Sequence, residues 1–204
     1  MTPAETSRPE PRHAASGDGA RDRILRAAYG LFTRYGVQAI GIERIIADAG
    51  VSRTTLYRHF KSKEDLVLAV LDLREQLWTE GWLIPESRRR GRTPTEQLLA
   101  VFDAFDDWFD QDGYEGCFFV NTLLESERGP IEADSTRKLQ NVQTFLEALA
   151  REAGSPNPEV LAGDWQLLMF GAIVAAVRGE SDAATRARAL AQARLDLEQL
   201  GARS

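Results

Sequence analysis

The chain has 204 residues and a mass of 22.7 kDa, with 43% hydrophobic and 27% charged residues. That composition is ordinary for a globular protein and excludes a collagen, a coiled-coil rod or a wholly disordered chain; the length admits one or two domains with a sizeable core. The net charge of −6 hides an asymmetry: residues 20–63 hold nine basic and three acidic side chains, a local +6, and residues 64–204 hold 14 basic and 25 acidic, a local −11. A basic head on an acidic body fits a small nucleic-acid-binding module joined to a partner domain, and an ordinary solvated surface is the plainer reading of the same numbers.

The longest apolar run, Leu167 to Val177, is interrupted by Gly171. A bilayer crossing needs about 20 apolar residues, so no membrane span is expected. Met1 to Ala20 lacks the apolar stretch of a secretory signal. One cysteine, Cys117, cannot make an internal disulfide, which fits a reducing, cytoplasmic setting. With His13 and His59 as the only histidines, a zinc site is not expected. No nucleophile–base pair, carboxylate dyad or phosphate-cradling glycine loop is visible, so neither a cofactor nor an enzyme is expected.

Residues 1–19 carry Pro3, Pro9, Pro11, Ser16, Gly17 and Gly19 without apolar periodicity and read as a flexible arm. From Arg21 a helical stripe begins, with Ile24, Ala28, Leu31 and Tyr35 broadened by Leu25 and Phe32, and Gly36 ends it. A second helix is expected over Glu43–Ala49, stopped by Gly50, and a third over Arg53–Phe60 after Ser52 as N-cap. Ser62-Lys63-Glu64-Asp65 resembles a capping box and opens a helix to about Trp82, which Pro85 ends. Arg88, Arg89, Arg90 and Arg92 read as an exposed loop, with phosphate contact the other reading. Further helices are expected over Thr95–Asp110, Cys117–Ser126, Glu132–Ala153, Glu159–Arg178 and Asp182–Leu200, punctuated by Gly113, Gly129-Pro130 and the turn Gly154 to Pro158. No stretch alternates at period two, so the protein reads as all-α with about nine helices.

Residues 42–61 read IERIIADAGVSRTTLYRHFK. Two short helices joined by Ala-Gly-Val-Ser fit a helix-turn-helix. Gly50 supplies the tight turn, and Ile45, Val51 and Leu56 are spaced to form the small core that fixes one helix on the other. That leaves Arg53, Thr54, Thr55, Tyr57 and Arg58 facing outward, a mixture suited to phosphates and base edges.

Taken together, Arg21 to Leu71 resembles the DNA-binding domain of TetR/AcrR-type transcriptional regulators, over about a quarter of the chain. The resemblance rests on Ile24-Leu25-x-Ala27-Ala28-x-x-Leu31-Phe32, Ala49-Gly50-Val51-Ser52, Thr55-Leu56-Tyr57-x-His59-Phe60 and Lys63-Glu64-x-Leu66. Ile40 to Ile46 departs from the commoner pattern and puts Gly41 where many members carry a hydroxyl N-cap. The resemblance implies a dimer that binds palindromic operator DNA and is released by a small molecule in the second domain. Carried over, Tyr57, His59 and Lys63 hold phosphates, Arg53, Thr54, Thr55 and Arg58 face the major groove, and Arg44 reaches backbone or a flanking base. For His59 a plain surface position is the alternative.

Gly113 to Glu125 is similar to a Gly-Cys-x-Phe-x-Asn stretch found in part of that family. Cys117, Asn121 and Glu125 fall at i, i+4 and i+8, near one helical face. Such a stripe suits ligand orientation, or hydrogen bonds to neighbouring helices. Cys117 is either a redox sensor or a small buried hydrophobe. The ligand set read from this region is Trp82, Phe105, Trp108, Cys117, Phe119, Asn121 and Trp165. The helix at 159–178 is apolar nearly all round and needs cover on every side. With the stripe on the last helix it gives an expected dimer face of Trp165, Leu168, Ala172, Ala176, Leu190, Ala193 and Leu197, continued by Leu200.

The expected organisation is therefore an arm at 1–19, a DNA-binding head at 20–80 and a ligand-binding and dimerisation domain at 81–204. The expected function is a dimeric transcriptional repressor with double-stranded operator DNA, an apolar or aromatic effector and its own copy as partners. The alternatives are an activator of the same fold and a helical ligand-binding protein that does not act as a repressor.

Overall fold

The computed structural model describes residues 19–201, and every regular element in that range is helical. Most of the expected arm lies outside these residues. The described residues divide into two compact units: one takes residues 19–78 together with Cys117–Leu139, the other Thr79–Gly116 and residues 140–201. The sequence placed a single boundary at 80/81; the structure returns the segment after Gly116 to the head.

In the first unit, α1 (Ala20–Tyr35), α2 (Ile42–Ala49), α3 (Arg53–His59) and α4 (Lys63–Arg74) pack around α1. Their core is Ile24, Ala28, Phe32, Ile45, Leu56, Leu66 and Val70, each at most 1% exposed. The local signals act as expected. Gly50 ends α2 in the left-handed region at φ 61°, ψ 41°, where a Cβ would cost energy. The Ser52 and Ser62 hydroxyls accept from the Thr55 and Asp65 amides at the starts of α3 and α4. Gly41 stands at the N-cap of α2 and offers no side-chain bond, as its missing hydroxyl requires. The unit also holds α7 (Phe118–Glu125) and the start of α8 (Pro130–Glu152).

Helix α4 runs on through a π-helical stretch, Glu75–Leu83, into α5 (Ile84–Arg90). Pro85 does not end the helix region; it sits at the start of α5, where the π-helical stretch gives way to α-helix. The arginines expected in a loop are thus largely helical. Arg89 and Arg90 pair with Glu86 one turn back at 2.7 and 3.0 Å, and Arg90 also reaches Asp107 at 2.5 Å.

The second unit contains α5, α6 (Pro94–Phe109), α9 (Pro158–Val177) and α10 (Ala183–Gly201), with α6 and α9 packed on α10 and α5 on α6. A full capping box, Thr93 with Glu96, starts α6. By length and composition α9 is apolar enough to cross a bilayer. Within the unit one side of it is core: Leu161, Ala162, Trp165, Met169, Ala172 and Ile173 are buried, and Asp164 pairs with Arg194 of α10 at 2.7 Å.

Candidate functional site

The outer surface of the helix-turn-helix is built by subtraction. Leu56 is 0% exposed and fixes α3 to the head, so the residues on the remaining arc face water. Arg53, Thr54, Tyr57 and Arg58 are exposed there, and Arg44 is exposed on α2. Tyr57, at 42% exposure, is a large ring left in solvent beside cations. Arg53 forms an ion pair with Glu43 of α2, which holds its guanidinium at the surface. Such exposed pairs are worth little, and a phosphate or guanine can displace the carboxylate at small cost.

Three of the expected contact residues are less free. Thr55 is half-buried, with its hydroxyl 2.8 Å from that of Ser52. His59 is half-buried at the end of α3. Lys63, the first residue of α4, stands 6.0 Å from the centre of the Phe32 ring. Burial holds its ammonium below the usual lysine range, and the charge of Glu125 pulls the other way.

Two further groups in the head were not read from the sequence. Arg74 is 4% exposed, donates to the Tyr29 hydroxyl at 2.8 Å and lies over the Tyr29 and Trp78 rings at 6.0 and 5.8 Å. It ties the end of α4 to α1. Lys138 of α8 is 2% exposed, with Asp72 and Glu75 each 2.5 Å from its Nζ. Burial lowers its pKa, but the two carboxylates outweigh burial and leave it above the usual lysine value. Glu125, which spacing left between ligand contact and helix partner, takes the second role: its carboxylate accepts from the Val37 and Gln38 amides.

The expected ligand residues divide between the units. Trp82, Phe105 and Trp108 belong to the second, where the Trp82 and Phe105 rings lie 5.9 and 5.3 Å from Trp108. Phe109 and Tyr114 extend that cluster. Cys117, Phe119 and Asn121 belong to the first unit, where Phe119 meets Trp78 edge-on at 6.4 Å. Burial is the main influence on the Cys117 thiol and raises its pKa, against the amides of Val120 and Phe119 and the charge of Arg74. Trp165, assigned from sequence to both the ligand and the dimer face, is 0% exposed and donates its indole N–H to the Leu98 carbonyl at 2.9 Å. It is core of its own unit, as is Ala172 at 4%.

Of the remaining expected dimer residues, Leu168 and Ala176 are half-buried, and Leu190, Ala193 and Leu197 are exposed. The Leu200 side chain lies outside the described residues. The exposed large apolar residues on α9 and α10 are Val160, Leu167, Val174, Val177, Leu190 and Leu197, between 56% and 69% exposed. A shallow groove of about 170 Å³ runs between the two helices, lined by Leu167, Leu168, Gly171, Ala187 and Leu190 among others.

The family model for bacterial regulatory proteins of the tetR family matches residues 24–70. The chain is 35% identical over 112 residues to the HTH-type transcriptional activator FasR of Mycolicibacterium smegmatis, covering 54% of this chain but only half of that protein. It is 29% identical over 158 residues to the HTH-type transcriptional regulator TcmR of Streptomyces glaucescens, covering 72% and 69% of the two chains. Among solved structures, a TetR-family transcriptional regulator from Streptomyces coelicolor superposes with a TM-score of 0.79 at 26% identity, over 88% of this chain and 95% of that one.

Proposed function

Because this chain belongs to the tetR family of bacterial regulatory proteins, we propose that it is a transcriptional regulator that acts as a homodimeric repressor. It binds palindromic operator DNA through α3 and lets go when an apolar or aromatic small molecule binds. The observation that carries the DNA-binding part is the face of α3: Arg53, Thr54, Tyr57 and Arg58 stand in solvent around a fully buried Leu56. Arg53 and Arg58 are suited to guanine edges, Thr54 and Thr55 to either base or backbone, and Tyr57, His59, Lys63 and Arg44 to phosphates.

The six exposed large apolar side chains on α9 and α10 support the dimer, because so many apolar groups on two neighbouring helices mark a protein–protein contact more often than a solvent-facing surface. Paired about a twofold axis, the two helices form a four-helix interface. The aromatic cluster of Trp82, Phe105 and Trp108 supports an aromatic effector, and the cytoplasm is the compartment in which such a regulator meets DNA.

A second reading keeps the fold and reverses the sign. The relative FasR is named as an activator, so bound protein here raises transcription instead. Gel-shift on the DNA flanking its own gene tests binding, and run-off transcription on the same fragment separates the two readings. Lower transcript with protein bound supports the repressor; higher transcript supports the activator.

A further inference from the structure

Helix α1 ends at Gly36, and its next two amides have no helical partner. Val37 and Gln38 turn both N–H groups onto one oxygen, Oε2 of Glu125, at 2.8 and 3.1 Å. Gly36 makes this possible. At φ 82°, ψ 157° it occupies a region open essentially to glycine alone. A Cβ built there would lie 2.5 Å from Glu125 Oε1, so the carboxylate fills the space that the missing side chain leaves. The grip is two-sided, since Gln38 Nε2 donates back to the main-chain carbonyl of Glu125 at 3.4 Å. That carbonyl is one of the orphaned acceptors at the end of α7.

The turn held in this way is not a free loop. Val37 and Ile40 are 3% and 8% exposed and anchor it in the head, and the next residue, Gly41, is the N-cap of α2. Lys63 at the start of α4 also feels the charge of Glu125. At its other end α7 is seated by Phe118 and Phe119, 3% and 1% exposed. One carboxylate therefore links a well-anchored helix to the segment that launches the helix-turn-helix.

We propose that Glu125 is the positioning residue through which α7 fixes the turn before α2, and thereby the orientation in which α3 meets DNA. The inference rests on the DNA-binding reading for its consequence, but the grip itself is measurable without DNA. Two variants separate its parts. Glu125→Ala removes the acceptor. Glu125→Gln keeps an acceptor oxygen and removes the charge.

The test uses full-length protein and two measurements. Amide hydrogen exchange is followed residue by residue on the protein without DNA. In Glu125→Ala the Val37 and Gln38 amides exchange roughly tenfold faster or more, as expected for loss of a bond to a charged acceptor. Amides in the middle of α1 and α3 keep their rates, and Glu125→Gln recovers most of the protection. Fluorescence anisotropy then compares the DNA fragment flanking its own gene with a scrambled duplex of equal length. Glu125→Ala lowers the ratio of the two affinities by about tenfold, and Glu125→Gln stands nearer wild type. Unchanged Val37 and Gln38 exchange overturns the proposal, because the grip is then absent in solution. Released amides with an unchanged affinity ratio overturn it too, because Glu125 is then a local cap with no say in DNA recognition. If the wild-type protein does not discriminate the two duplexes, the DNA-binding reading fails, and the exchange measurement still decides whether the grip exists.

Discussion

Replacing Leu197 with Glu puts a charge into the surface proposed to join two copies. Leu197 is 65% exposed in the single chain. Full burial of a leucine is worth about 1.5–3 kcal/mol, so covering the exposed part contributes about 1–2 kcal/mol. Twofold symmetry counts the residue twice, giving about 2–4 kcal/mol per dimer before the cost of desolvating two carboxylates. At about 1.4 kcal/mol per tenfold, the dimer dissociation constant rises roughly 30- to 1000-fold. Sedimentation velocity over a concentration series reads this directly. Leu124→Glu is the control: it is 80% exposed, on α7, outside the proposed face, and leaves the constant unchanged. A Leu197→Glu protein that dimerises as tightly as wild type would refute the placement of the interface on α9 and α10.

Three further outcomes are expected. Lys63→Ala weakens binding to all DNA sequences and lowers the salt slope by about one, whereas Arg58→Ala costs about 1–3 kcal/mol at particular base pairs; competition titrations over a range of salt distinguish the two patterns. Cys117 reacts slowly with iodoacetamide at neutral pH in the folded protein and rapidly in urea, because burial keeps it a thiol. Since its folded pKa is raised, only the unfolded chain ionises above about pH 8.5, and stability falls from there as pH increases. Lys138→Met leaves Glu75 without its buried cation and lowers stability by about 2–3 kcal/mol, below the figure for a fully buried pair because Asp72 is 58% exposed. The Lys138 contribution, from a raised pKa, is fully present below about pH 10.4 and is lost as pH rises through the folded value; urea melts at several pH values measure both effects.

The head was legible because its signals are local. Gly50 and Ser52 punctuate the chain two residues apart, and the spacing of Ile45 and Leu56 decides which side of α3 is left for DNA. The body was less so. On α9 almost every position is apolar, so periodicity could not tell the buried Trp165 and Ala172 from the exposed Leu167 and Val174. The arginines after Pro85 read as a loop because their partners are not all nearby: Glu86 is within a turn, but Asp107 lies 17 residues on from Arg90. The capping pattern of Thr93 and Glu96 starts α6 at Pro94, one residue before the expected Thr95. Glu125 meets Val37 across 88 residues, and no local pattern announces a bond of that reach.

The most direct test of the DNA-binding assignment is selection of bound duplexes from a random-sequence library by the wild-type protein, followed by footprinting of the winners. The expected result is one sequence in two half-sites related by a twofold axis, with centres about 34–36 Å apart or a multiple of that, and loss of the enrichment with Arg53→Ala and Arg58→Ala together. Recovery of no preferred sequence, or of a preference that survives the double substitution, would contradict the assignment of α3 as the helix that reads DNA.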